Sequence, residues 1–243
     1  MTAGFVIVLV LFAFGASFIQ RVTGFGFGIF IMTVLPHLMT TYGEATALSG
    51  LLALVTVLIT SIQKIRKVPW KKLMVILPVF LVVSFFSVRS LSGFDDRLLK
   101  HVLGCILILV SIYCFFFSSR VKMRPTVGTQ LSMGAVSGLM GGFFAMQGPP
   151  AVLYFLASTG DDKEEYIAVT AWYFLIGNAF MTLYRAGSGY VTSFVGISWC
   201  IAVPAVLLGL WTGNMVYRKI PVTLLRKIVY AYMALAGVLA LIS

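Results

Sequence analysis

Acidic residues are scarce in this 243-residue chain: seven Asp and Glu stand against eighteen Lys and Arg, and only 10% of residues are charged. A soluble domain carries nearer a quarter, so a chain exposed to water over its whole surface is excluded. The few carboxylates cluster near predicted helix ends, and none lies mid-way along an apolar run. A buried carboxylate proton relay therefore has no carrier. Cysteine is scarcer still. Cys105, Cys114 and Cys200 sit inside apolar runs without CxxC spacing, which points to packing and away from a disulfide framework or a zinc site. The two histidines, His37 and His101, could titrate near neutral pH, but each lies near a predicted membrane edge. No HExxH, no nucleophile paired with a base and no ATP-binding motif occurs. The sequence thus reads as a non-enzyme with no catalytic residue, no metal and no cofactor, and a gradient must drive whatever it moves.

Apolar residues are what the chain has in quantity. They make up 60% of it, and the mean hydropathy is +1.03. Uncharged runs cover 1–20, 22–43, 45–63, 73–88, 125–160, 166–184, 186–217 and 228–243. A helix needs roughly 20 apolar residues to cross the hydrocarbon of a bilayer, so the chain reads as a polytopic membrane protein. Its net charge of +11 comes from short basic clusters between those runs. The positive-inside bias and anionic headgroups account for such clusters, and nucleic acid is excluded as a partner. The first residues are apolar from Phe5 with no basic flank, so no cleaved signal peptide is expected.

Features recur at an offset of about 120 residues, as internal duplication would produce. Gly15-Ala16-Ser17 is echoed by Gly134-Ala135-Val136-Ser137. Gly24, Gly26 and Gly28 are echoed by Gly141, Gly142, Gly148 and Pro149-Pro150. Glu44 opens the next helix in the first half, and Glu164 or Glu165 does so in the second. Leu98-Leu99-Lys100 matches Leu224-Leu225-Arg226. The expectation is an all-α membrane protein of two homologous halves, 1–120 and 125–243. Each is a Gly/Pro-broken re-entrant or double helix followed by three transmembrane helices. The broken segments are 4–39 and 129–158, interrupted at TGFGFG (23–28) and AMQGPP (145–150). The spans are 44–62, 73–89 and 98–118, then 165–184, 192–215 and 222–242.

Basic residues choose between two arrangements of the halves. If each broken segment crosses once, the halves are parallel and Lys and Arg divide 9 to 8, with Arg21 left in the membrane. If each turns back, the halves are inverted. One face then collects 13 basic residues and the other keeps only Arg89, Arg97, Lys100 and Arg185. The positive-inside rule selects inverted repeats with both termini outside, a recurring transporter architecture.

Irregular backbone at membrane depth survives only where protein or a water-filled cavity satisfies it, and broken helices commonly build the substrate site at the midplane. Each break is followed by a helix start, near Gly28 and near Pro149, where free N–H groups and partial positive charge suit an anion. Arg21 is a lone intramembrane cation with no acidic residue near it in sequence, which makes it a functional candidate. A bound anion would neutralise it. The alternatives are snorkelling or bonding to carbonyls of neighbouring helices. The candidate substrate-binding set is Arg21, Thr23, Gly24, Gly26, Gly28, Gln147, Gly148, Pro149 and Asn178, with Gln20 and Trp172 behind it. Packing of small residues between helices is the competing explanation for the glycines.

The block GAVSGLMGGFFAMQGPPAVLYFLASTGDDK (134–163), the earlier VTGFGFGIFIMTVLP (22–36) and Tyr184-Arg185-Ala186-Gly187 followed by Gly189-Tyr190 resemble the TauE/SafE sulfite exporter family, also called the 4-toluene sulfonate uptake permeases. Ala145, Met146 and Gln147 stand where that family's second block is richer in glycine. The resemblance implies a multi-pass protein of a bacterial inner membrane that moves sulfite, an organosulfonate or a sulfoacetate-like anion. Its partners would be that small anion and the bilayer, with a proton or sodium coupling ion and a homo-oligomer left open. An anion channel, or a transporter of a small non-sulfur carboxylate, remains the alternative.

Overall fold

The structure, a computed structural model, describes residues 2–116, 124–160 and 162–216, together with 234, 235, 238 and 241. The expected last span, 222–242, falls almost wholly outside the described residues, as do Arg120, Lys122, Arg218, Lys219, Arg226, Lys227 and Ser243. Every described element is helical. The first stretch contains α1 (Ala3–Thr23), α2 (Phe27–Ile31), α3 (Leu35–Leu38), α4 (Tyr42–Lys64), α5 (Trp70–Leu73), α6 (Ile76–Ser90) and α7 (Asp96–Phe116). The second contains α8 (Val127–Phe144), α9 (Gly148–Thr159), α10 (Lys163–Gly187) and α11 (Ser193–Val216). Among the described residues, five segments are long and apolar enough to cross a membrane: Ala3–Thr23, Tyr42–Lys67, Trp70–Gly93, Glu164–Gly187 and Ser193–Val216. Large apolar side chains such as Leu11, Met74, Phe86, Leu183 and Trp211 are exposed, while serine and threonine are buried between helices. That distribution suits a hydrocarbon surround. The chain is a multi-pass membrane protein.

The acidic residues start helices, as the sequence suggests. Thr41 and Glu44 form a capping box on α4, and Asp162 accepts from the backbone N–H groups of Glu164 and Glu165 at the start of α10. Each satisfies amides that a helix start leaves unpaired. The Glu44 carboxylate also accepts from the Thr192 hydroxyl at 2.7 Å, which joins the start of α4 to the start of α11. At the other end of α4, Lys64 and Lys67 pair with Glu164, and Lys72 pairs with Glu165. α4 and α10 are therefore antiparallel. One end of the bundle carries the lysines of 64–72, and the other carries Glu44, Asp96 and Thr192.

Small residues decide the remaining pairings. Along α8, Gly134, Gly138 and Gly142 lie in turn against Ile76, Phe80 and the Ser84–Ser87 turn of α6, so those two helices run parallel. Along α11, Gly209 lies against Phe14 and Ser17, and Gly213 lies against Phe18 and Arg21. Phe5 meets Phe194 at 5.4 Å, so α1 and α11 are also parallel.

These directions settle the path of the broken segments. α8 enters from the lysine end with the start of α6. α9 returns to that end, where the Ser158 carbonyl accepts from Lys72. α1 enters from the opposite end, and α2 and α3 bring the chain back to the Glu44 carboxylate, which accepts from the Thr40 and Thr41 amides. Each broken segment is a hairpin that leaves by the face it entered.

Two expectations need correction. The segment after the first break is not one helix: Pro36, without an N–H and with a ring that clashes one turn back, separates α2 from α3. Arg185 is not a loop residue. α10 continues to Gly187, and Arg185 is fully buried, so it does not count among the exposed charges of that face.

Candidate functional site

The two incoming arms end alike. α1 stops at Gly24, in the left-handed conformation with φ 83°. α8 stops at Ala145, with φ 54°, the one described non-glycine residue in that region. An L residue held there costs about 1 kcal/mol or more, so the surroundings hold the turn in place. The breaks then abut. A Cβ placed on Gly28 would lie 2.0 Å from the Ala145 carbonyl oxygen, so only glycine lets the backbones touch.

Side chains satisfy most of the backbone that the breaks free. Thr23 Oγ1 donates to the Phe25 carbonyl at 2.6 Å and lies 2.9 Å from the Ile19 carbonyl. Gln20 Oε1 accepts from the Phe27 amide at 3.1 Å. In the second break, Ser137 Oγ donates to the Gln147 carbonyl at 2.6 Å and is itself bonded by the Tyr173 hydroxyl at 2.8 Å. Arg185 Nη2 donates to the Gly141 and Gly142 carbonyls at 3.0 and 2.8 Å, the carbonyl end of α8 where a cation is favoured.

Two spaces flank the crossing. The larger, about 420 Å³, is lined by Gln20, Arg21, Thr23, Gly24, Thr56, Thr60, Tyr166, Thr170 and neighbouring apolar residues. It lies toward the lysine end: Thr60 is one turn from Lys64, and Tyr166 follows Glu164 and Glu165. Its size is ordinary for a small-molecule site. Among the described residues Arg21 is the one charged residue of the lining, and none of them is a carboxylate. Arg21 donates to Asn214 Oδ1 at 2.7 Å and to Thr60 Oγ1 at 3.5 Å, which braces α1 against α11 and α4; among the described residues its charge has no acidic partner. The Thr170 hydroxyl on the same wall is buried and unpartnered. The smaller space lies at the crossing itself and is lined by Gly26, Gly28, Gln147, Gly148 and Asn178, among others.

Eight of the nine sequence candidates thus line one space or the other. Pro149 lines neither. With Pro150 it forms the first turn of α9, and because neither has an N–H, that turn offers donors only at Gln147 and Gly148. The Gln147 Oε1 atom is buried without a partner, an amide still to be satisfied. Trp172 is turned to structure, its indole donating to the Ser61 carbonyl at 2.8 Å. Sequence reasoning missed Thr56, Thr60 and Thr170, whose hydroxyls look like ordinary interhelical residues, and misplaced Arg185. The Nε and Nη1 of Arg185 have no partner, and each buried unpaired donor costs about 1–3 kcal/mol, more when charged. Among the described residues no three His, Cys, Asp or Glu side chains gather to hold a metal.

The family model for the sulfite exporter TauE/SafE matches residues 9–240. The chain belongs to the TauE/SafE family. A relative from Cupriavidus necator, described as a probable sulfite/organosulfonate exporter TauE, is 26% identical over 203 residues, which is 82% of this chain and 78% of the relative. No solved structure matches the chain. As a TauE/SafE member with five helices fit to cross a bilayer, the chain is a membrane protein of an exporter family.

Proposed function

We propose that the chain is a secondary transporter of a small sulfur oxyanion: sulfite, an organosulfonate or a sulfoacetate-like compound. The anion is held beside the crossing of the two broken hairpins. The observation that carries this is the lining of the larger cavity, where, among the described residues, a single guanidinium and several hydroxyls face the space with no carboxylate. A cation with hydroxyl donors fits an oxyanion and repels no part of it. The name of the Cupriavidus necator relative supplies the substrate class.

Two inverted halves, 1–120 and 125–243, underlie the site in this reading. The antiparallel course of α4 and α10 supports it, as does the exchange by which α1 packs on α11 while α8 packs on α6. Equivalent helices of inverted repeats should run in opposite directions and swap partners in this way. The lysine end, 64–72, is cytoplasmic. Reporter fusions at Gln63 and Ser243 should report opposite faces of the inner membrane, and the same face for both would end the inverted arrangement.

We favour a carrier over a channel because aromatic pairs stand beyond the crossing. There Tyr42 meets Phe144 at 6.5 Å and Phe94 meets Phe143 at 5.7 Å. Purified protein in proteoliposomes should show saturable sulfite flux and counterflow, with sulfoacetate and taurine competing more strongly than simple carboxylates. Flux that rises linearly with concentration would mean a channel. Flux of carboxylates alone would move the substrate to another class.

A further inference from the structure

One face of α10 runs the length of this route. Thr170 lines the open cavity, Phe174 and Asn178 line the space at the crossing, and Thr182 and Arg185 follow at helical spacing. From Thr170 to Arg185 is about 22 Å of helix. Arg185 lines neither space. It lies on the far side of the crossing from the lysines, as Arg21 lies on the near side.

The surroundings of Arg185 are those of a buried cation awaiting a counter-ion. Nη2 holds the Gly141 and Gly142 carbonyls, and the Nε–H and Nη1–H donors point at no acceptor. The Thr182 hydroxyl is also buried and unpartnered. Both meet the same glycine, since a Cβ on Gly50 would be 2.8 Å from Thr182 Oγ1 and 3.7 Å from Arg185 Nη1. The Tyr42 hydroxyl is unpartnered too, and the phenols of Tyr42 and Tyr190 lie near enough to interact with the guanidinium. None of the ion pairs among the described residues includes Arg185. A brace for α8 would need Nη2 alone. Removing a cation from water without a partner anion is strongly unfavourable.

We propose that Arg185, Thr182 and Tyr42 form a second anion station, closed in this conformation, which takes the same small oxyanion when the far side of the route opens. This rests on the transporter reading above. An oxyanion there accepts from the free guanidinium N–H groups and from two hydroxyls, so all the stranded donors are satisfied together. In the closed state the aromatic pairs over Tyr42 and Phe143 separate it from the far face.

Reconstituted protein supplied with sulfite from the face opposite the lysines tests this. Arg185→Gln should raise the KM from that face by about ten- to a hundredfold, the loss of a charge-assisted bond, and by much less from the lysine face. Arg185→Lys should recover part of the loss, because the charge returns without the planar fork. Arg185→Gln also strips the carbonyl end of α8, so Thr182→Val and Tyr42→Phe serve where it does not fold. Each leaves the guanidinium in place and should weaken uptake from the far face. An unchanged KM from that face in the folded variants overturns the proposal. A second readout does not require transport. Thr182→Cys, with Cys105, Cys114 and Cys200 replaced, should react faster with an anionic than with a cationic thiosulfonate applied to the far face, and Arg185→Gln should remove that preference. Absent or charge-indifferent labelling overturns the station. A protein that carries no sulfur oxyanion retires the transporter reading, and the labelling then decides the station alone.

Discussion

Gly28→Ala should abolish transport while the protein still inserts and folds as a helical bundle. The added methyl would lie 2.0 Å from the Ala145 carbonyl oxygen and 3.1 Å from its carbonyl carbon. Favourable carbon–oxygen contacts begin near 3.3 Å, so one backbone must retreat by more than an ångström. Neither can do so freely, because both breaks are fixed by Gln20, Thr23, Ser137 and Arg185. Misplacing a binding group by about 1 Å is enough to cost roughly a hundredfold in a preorganised site. Gly148 is the internal control. A Cβ there meets Phe25 and Phe174 at 3.6–3.8 Å, ordinary contact, so Gly148→Ala should lose far less. Flux normalised to monodisperse protein measures both. Equal, near-normal flux from the two variants would mean that the breaks do not abut in the working protein.

The contrast marks how far the sequence could be read. Glycine and proline clusters located both breaks to within a residue or two, and the uncharged runs 45–63, 73–88, 166–184 and 186–217 located four of the apolar spans, because helix continuity and bilayer thickness act locally on composition. What sequence could not rank was the glycines themselves. Gly28 and Gly148 each stand just after a break, yet of the two only Gly28 faces a backbone oxygen, a fact of tertiary approach with no local signature. Arg185 escaped for a related reason. It sits two residues from the end of α10, where a basic residue normally marks the interface, and only the packing of Tyr42, Tyr190 and α8 around it buries it. The threonines of the cavity wall were invisible because Thr56 and Thr60 share α4 with Thr46, Ser49 and Ser61, hydroxyls of the kind that also bond between helices.

Arg21→Gln should raise the dissociation constant for sulfite by about ten- to a hundredfold, the equivalent of the roughly 1.5–3 kcal/mol that a charge-assisted hydrogen bond supplies. The guanidinium lines the cavity, and its two described partners, Asn214 and Thr60, are neutral. Its charge is therefore available to a ligand while its geometry is fixed. Glutamine keeps hydrogen-bonding capacity toward Asn214, so the fold should lose less than the affinity. Arg21→Lys should fall between the two, keeping charge without the planar fork. Calorimetric affinity and thermal stability read on the same purified sample separate binding from bracing. Lower stability with unchanged affinity would assign Arg21 to helix packing alone.

Substrate protection at Thr170 tests the central claim, that the anion occupies the space beside the crossing. Thr170→Cys, in a chain whose Cys105, Cys114 and Cys200 are replaced by alanine, places one thiol in the cavity lining that also holds Arg21. Its rate of alkylation by a maleimide is followed as sulfoacetate is added; sulfite itself would consume the reagent. The account predicts saturable slowing whose half-effect matches the transport KM and which weakens when Arg21→Gln is added. Transport that persists with no slowing at any sulfoacetate concentration would place the substrate elsewhere and contradict the account.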